Sequence, residues 1–122
     1  MREAVASRQF KGMPPAVRNL FVASAESGGE RLARVAEGAQ FRLERIVSNR
    51  AASPPGFWYD QDEAEWVALV RGHATLEFAD GRLELKPGDS LRIPAHVKHR
   101  VAATSADAVW LALHFQEEVT GP

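Results

Sequence analysis

The chain has 122 residues, 45% of them apolar and 25% charged, with a formal net charge of −1. That suits one domain with one core, and such a balance favours neither nucleic acid nor an anionic membrane as partner. It contains no cysteine, so disulfides and thiolate metal ligands are excluded, and any metal must be held by imidazole, carboxylate, amide or phenol groups.

No stretch approaches the roughly 18 apolar residues of a membrane span. The first residues, MREAVASRQFKGMPP, carry charges with no apolar run behind them, so no signal peptide is expected and the expected location is cytoplasmic.

Residues 1–18 mix charges, glycine and a Pro14-Pro15 pair and read as an arm with little structure of its own. Asn19 to Ala23 is expected to form a short strand, and Ser24 to Gly29 a polar turn. Glu30 to Ala36 places Leu32, Val35 and Ala36 on one helical face, which predicts one or two helical turns. From Ala39 onward the period is two. Phe41 and Leu43 alternate with Arg42 and Glu44, the pattern of a half-buried strand. The division expected is an arm over 1–39 and a β-domain over 40–122.

After the break at Ser53-Pro54-Pro55-Gly56, short strands follow one another with tight punctuation. Glu65 to Val70 is one, closed by Gly72. Ala74, Leu76 and Phe78 alternate in the next, and Ala79-Asp80-Gly81 predicts a hairpin turn. Leu83 and Leu85 follow, then a turn at Lys86-Pro87-Gly88-Asp89, then Leu91 and Ile93 up to Pro94. His99 to Ala103 and Val109 to Phe115 complete the set. The last is apolar on both faces except at His114, as a strand buried on both sides would be. Strands every 8–12 residues predict a sandwich or barrel, not alternating βαβ units.

The stretch Gly88-Asp89-Ser90-Leu91-Arg92-Ile93-Pro94-Ala95-His96-Val97-Lys98-His99 resembles the second motif of the cupins. In that motif a glycine, five residues, a proline, one residue, a position that is usually glycine, and two residues precede a metal-binding histidine. Every spacing holds; His96 stands where glycine is usual. The first cupin motif is His-x-His, three or four residues, Glu, and a glycine seven positions later. Counting back from Gly72 puts Glu65 on the glutamate, with Gln61 and Tyr59 in place of the two histidines. The resemblance spans roughly residues 40–116 and is closest to small cupins of a WYDQ…EW type. It implies an all-β jelly-roll barrel of the RmlC-like kind, here with a short N-terminal helical segment.

Tyr59, Gln61 and Glu65 share parity, so an extended segment turns all three to one face, with Val67 and Leu69 continuing it as an apolar floor. His99 shares parity with Val101 and Ala103. In the cupin arrangement these segments are neighbours, so Glu65 and His99 can converge.

Two readings of that site stand. In one, a divalent ion (zinc, iron, manganese or nickel) is held by Glu65 and His99, Gln61 adds an amide oxygen, and Tyr59 is a ligand or the catalytic acid or base. In the other, Glu65 accepts hydrogen bonds from Tyr59 and Gln61 with no metal. His96 is a solvated turn residue or a substrate contact on the rim. His114 is a core histidine or, facing inward, a third nitrogen donor. Arg45 lies on a solvated strand face unless it reaches the cavity and binds a substrate carboxylate.

The function expected is a metal-assisted enzyme acting on a small, oxygen-rich molecule. The alternative is a non-catalytic module that binds or senses a small molecule. Exposed sheet edges and the apolar Leu20-Phe21-Val22 run point to a homodimer.

Overall fold

The computed structural model describes Gly12 and residues 14–117. These form eight strands and no helix: β1 (Gly29–Glu37), β2 (Phe41–Asn49), β3 (Ala64–Arg71), β4 (Ala74–Phe78), β5 (Gly81–Leu85), β6 (Ser90–Ile93), β7 (His99–Thr104) and β8 (Ala108–Phe115). One antiparallel sheet has the order β1-β2-β8-β3-β6, and the other the order β5-β4-β7. β8, the most apolar strand, lies at the centre of the larger sheet. The two sheets close on a core of Val67, Leu69, Ala74, Leu76, Leu85, Ile93, Ala108, Trp110 and Ala112.

The strands from β3 onward form where the period-two pattern places them. The β4–β5 hairpin differs in detail. Phe78 pairs with Gly81, so Ala79 and Asp80 are the loop and Gly81 opens β5.

The N-terminal segment differs from expectation. Residues 30–36 are not helical but lie within β1, antiparallel to β2, with a bulge between Arg34 and Ala36. One or two helical turns cannot sustain themselves in water. The edge of β2 satisfies most of the same backbone groups with a ladder interrupted only by that bulge, and the helical spacing of Leu32, Val35 and Ala36 counts for less. Leu20 to Val22 form a turn rather than a strand, in which the Phe21 amide donates to Asn19 Oδ1. The Phe21 ring packs on the Arg71 guanidinium, 4.3 Å from its centroid. The arm residues before 14, other than Gly12, lie outside the described part of the chain.

The orientation of β2 is also reversed. Phe41 and Leu43 were the expected buried face, yet Arg42, Glu44 and Ile46 point into the barrel. The mouth of the barrel is polar on its inside, so at this end alternation marks the two faces without telling which is inner.

Candidate functional site

A cavity of about 260 Å³ opens between the sheets. Its floor is apolar, from Ile46, Val67, Leu76, Ile93, Val101 and Trp110, and its upper wall carries Glu30, Arg42, Glu44, Tyr59, Gln61, Glu65 and His114.

Strand register assembles this wall. Glu65 on β3 is opposite Ile93 of β6 on one side and His114 of β8 on the other. His114 is in turn opposite Arg42 of β2. The segment before β3 is pinned by backbone bonds. Tyr59 and His99 exchange N–H···O bonds of 2.7 and 3.2 Å, and the His96 amide donates to the Gln61 carbonyl at 2.8 Å. Further back, Ser53 exchanges bonds with Val101 through its amide and its hydroxyl, which holds the Pro54-Pro55 loop against β7.

Glu65 is buried, 9% exposed, between two buried histidines, His99 at 6% and His114 at 5%. His99 Nε2 is 3.4 Å from Glu65 Oε1, and His114 Nε2 is 3.7 Å from Glu65 Oε2 and 3.5 Å from Glu44 Oε1. An isolated buried carboxylate is costly, and these imidazoles are its compensation. Among the described residues, neither Tyr59 nor Gln61 bonds to it, contrary to the hydrogen-bonded reading of the sequence.

The tautomer of His99 follows from its other nitrogen. Nδ1 is 2.9 Å from the Val97 carbonyl, an acceptor only, so Nδ1 carries the hydrogen. A neutral His99 would then aim a lone pair at the Glu65 carboxylate. A proton on Nε2 removes that repulsion. Burial works against the charge, but Glu65 and the Val97 carbonyl outweigh it and hold the His99 pKa above the usual imidazole value.

His99 does not form part of the cavity wall. The Tyr59 ring is stacked on it, with centroids 5.5 Å apart and planes 25° apart, and Phe78 lies 6.1 Å away. A ligand in the cavity meets Glu65, and His99 acts through Glu65. Burial raises the Tyr59 pKa, with Glu30 and Glu65 adding to the rise, so its phenol is a hydrogen-bond donor at neutral pH.

The remaining candidates separate cleanly. His114 faces inward. Its Nδ1 is buried with no hydrogen-bond partner. His96 sits on the rim, exposed, outside the cavity wall. Its Nδ1 is 2.8 Å from Asp60 Oδ1 and its Nε2 3.4 Å from Asp62 Oδ1. Its φ of 65° is the left-handed conformation that favours glycine, which accounts for the residue usual at this position of the motif. Arg45 is on the opposite face of β2 from Arg42 and Glu44 and does not line the cavity.

The sequence reading missed Glu30, Glu44, Arg42 and Trp110 as wall residues. The parity of Arg42, Glu44 and Ile46 was there to find, but its direction was not.

The donor chemistry at Glu65 and His99 suits a divalent ion. Two ligand atoms on one ion, each bonded at roughly 2.1 Å, stand about 3.4 Å apart in a tetrahedral arrangement, and the Glu65–His99 separation matches that. The set is a pair rather than a trio. Among the described residues, no three His, Asp or Glu side chains are gathered to hold one ion.

Comparison with solved structures gives the same barrel. A protein from Ralstonia eutropha JMP134, named as a candidate mannose-6-phosphate isomerase, is 41% identical. The match covers 84% of this chain and all of that one, with a TM-score of 0.79. An RmlC-like cupin from Shewanella frigidimarina NCIMB 400 is 15% identical, over 79% of this chain and 85% of that one, with a TM-score of 0.64. A sugar phosphate isomerase of the cupin superfamily from Silicibacter pomeroyi DSS-3 is 23% identical, over 73% of this chain and 60% of that one, with a TM-score of 0.61. The last two likenesses speak for the fold alone. No curated protein matches the sequence. The family model of the cupin domain matches residues 49–114, from the end of β2 to His114 on β8, and the chain belongs to the cupin family.

Proposed function

We propose that this chain, working in the cytoplasm, is an enzyme that transfers a proton on a small, oxygen-rich molecule bound in the barrel. The observation that carries the reading is Glu65: a buried carboxylate at the wall of a solvent-connected cavity, with an imidazole at each oxygen. Glu65 is the group that touches the ligand. Its carboxylate takes a proton from a ligand hydroxyl, or from a carbon beside a carbonyl, and returns it. His99 is a positioning residue that holds Glu65 in place from behind. Tyr59 offers its phenol hydrogen to a ligand oxygen. The isomerase name of the similar Ralstonia eutropha structure supports an oxygen-rich ligand.

In an ion-bound form of this reading, a divalent ion takes the place of the proton on His99 Nε2. Glu65 and His99 would hold it, Gln61 would add an amide oxygen, and the ion would supply Lewis-acid polarisation of a ligand oxygen. Nε2 of His99 carries either a proton or an ion, so ion binding weakens as pH falls. The test is elemental analysis of protein purified without a histidine tag, beside His99→Gln and Gln61→Ala, with circular dichroism as the folding control. The expected result is loss of the ion in His99→Gln and a smaller loss in Gln61→Ala, since a neutral amide is the weaker donor. Full occupancy in His99→Gln removes this site as the metal centre. A wild type that cannot be loaded, and that binds small molecules without turnover, selects the binding-module reading.

The same proposal includes a homodimer. β1 is an edge strand with Leu32 and Val35 exposed, and Val22 is exposed beside it in sequence. Sedimentation at micromolar concentration should give twice the 13.4 kDa chain mass; a single species at the chain mass refutes it.

A further inference from the structure

We propose that the cavity, with no ion at Glu65, selects an uncharged, hydroxyl-rich ligand of about monosaccharide size and excludes its phosphate esters. The inference rests on the small-molecule reading above and names the ligand class for that site.

The argument is one of charge already spent. Three carboxylates from three successive strands face the cavity: Glu30 on β1, Glu44 on β2 and Glu65 on β3. Arg42 is the arginine in the wall, and its Nη1 bonds both oxygens of Glu63, at 2.7 and 2.8 Å. Its Nε is 3.6 Å from Glu44. Arg34 also reaches Glu44, at 3.5 Å, and pairs with Glu37. His99 Nε2 faces Glu65 Oε1 at 3.4 Å. Among the described residues at this cavity, every cationic group therefore already faces a carboxylate. Glu30 has only the Ser48 hydroxyl, at 3.3 Å.

A phosphate dianion entering here meets like charge on three sides, with no unpaired guanidinium to receive it. The mouth does not relieve this. Gln61 is flanked by Asp60 and Asp62, and His96, the cation-forming group beside them, is already set between those two carboxylates. A phosphate held outside while the ring sits inside would face an acidic rim.

Hydroxyl groups, by contrast, find what they need. Carboxylate oxygens accept hydrogen bonds from them, and Tyr59 and Gln61 in the same wall add a phenol and an amide. Trp110 and the aliphatic floor offer an apolar face for ring C–H groups. The volume of about 260 Å³ lies below the roughly 300–1,000 Å³ of sites for drug-sized ligands, which bounds the ligand near one sugar ring.

The test uses matched probes. D-glucose, D-mannose and D-fructose and their three 6-phosphates are offered separately to the full chain, stripped of divalent ions with EDTA, in ligand-observed saturation-transfer NMR, and bound cases are titrated by Trp fluorescence. The expected result is binding by at least one neutral sugar, with its 6-phosphate weaker by about tenfold or more. In Glu30→Gln, which removes the least-paired carboxylate from an edge strand, the gap should narrow by about threefold or more. A 6-phosphate that binds as tightly as its neutral parent overturns the selectivity and leaves the small-molecule reading standing. A gap unchanged in both Glu30→Gln and Glu44→Gln overturns its electrostatic origin. If no sugar of either set binds, the ligand class and the oxygen-rich reading fall together.

Discussion

His99 Nε2 lies 3.4 Å from Glu65 Oε1, although the two residues stand on opposite sheets of the barrel, β7 and β3. The pair is therefore a polar bridge across the fold at the centre of the proposed site. Removing His99 leaves the carboxylate without its nearest counter-charge and opens a space between Tyr59 and Phe78. His99→Ala should lower unfolding free energy by about 2–4 kcal/mol. Glu65→Gln, which removes the charge and keeps the volume, should cost less. Urea denaturation of the three proteins checks the order; a harmless His99→Ala would show that the bridge contributes nothing.

The pair also sets a pH dependence. The folded His99 pKa is raised above the unfolded value of about 6.5. Its contribution to stability is thus fully present below that unfolded value and is lost as pH rises through the folded pKa. His96 acts in the same direction, because its hydrogen bond to Asp60 raises its pKa. Stability should fall from pH 6 to pH 8 in wild type. His99→Gln and His96→Gln should each flatten that slope. A slope unaltered in both variants would contradict the assignment.

Gly72 closes β3 with φ at +83°, and a Cβ there would lie 2.5 Å from Ser105 Oγ and 2.8 Å from Ala108 Cα. Ser105 can rotate away; the Ala108 backbone, at the start of β8, cannot. Gly72→Ala should therefore destabilise the barrel by about 2 kcal/mol or more. A denaturation midpoint equal to wild type would show that the β3–β4 turn relaxes freely.

At His96 the balance is different. Glycine would relieve the left-handed backbone and would lose the ring's bond to Asp60. His96→Gly should leave the denaturation midpoint at neutral pH close to that of wild type, while His96→Val, which is β-branched at the same φ, should be clearly less stable. Equal midpoints for the two variants would mean that the backbone conformation is not retained.

From Glu65 to Phe115 the sequence by itself determined the strands, because turn residues bound each one and alternation marks those between Ala74 and Ile93. The two spaced motifs and parity also point to the approach of Glu65 and His99, which stand 3.4 Å apart. The tertiary structure alone decided three things. β1 is a strand because the edge of β2 was there to pair with, which no local propensity records. Arg42 and Glu44 face inward because the barrel mouth is lined with polar groups, and a period of two is blind to which face is inner. His99 stands behind Tyr59, out of the ligand's reach, because the Tyr59–His99 bridge brings those rings together across 40 residues of sequence. Sequence parity assigns side chains to faces; depth within a face depends on what other segments of the chain place above it.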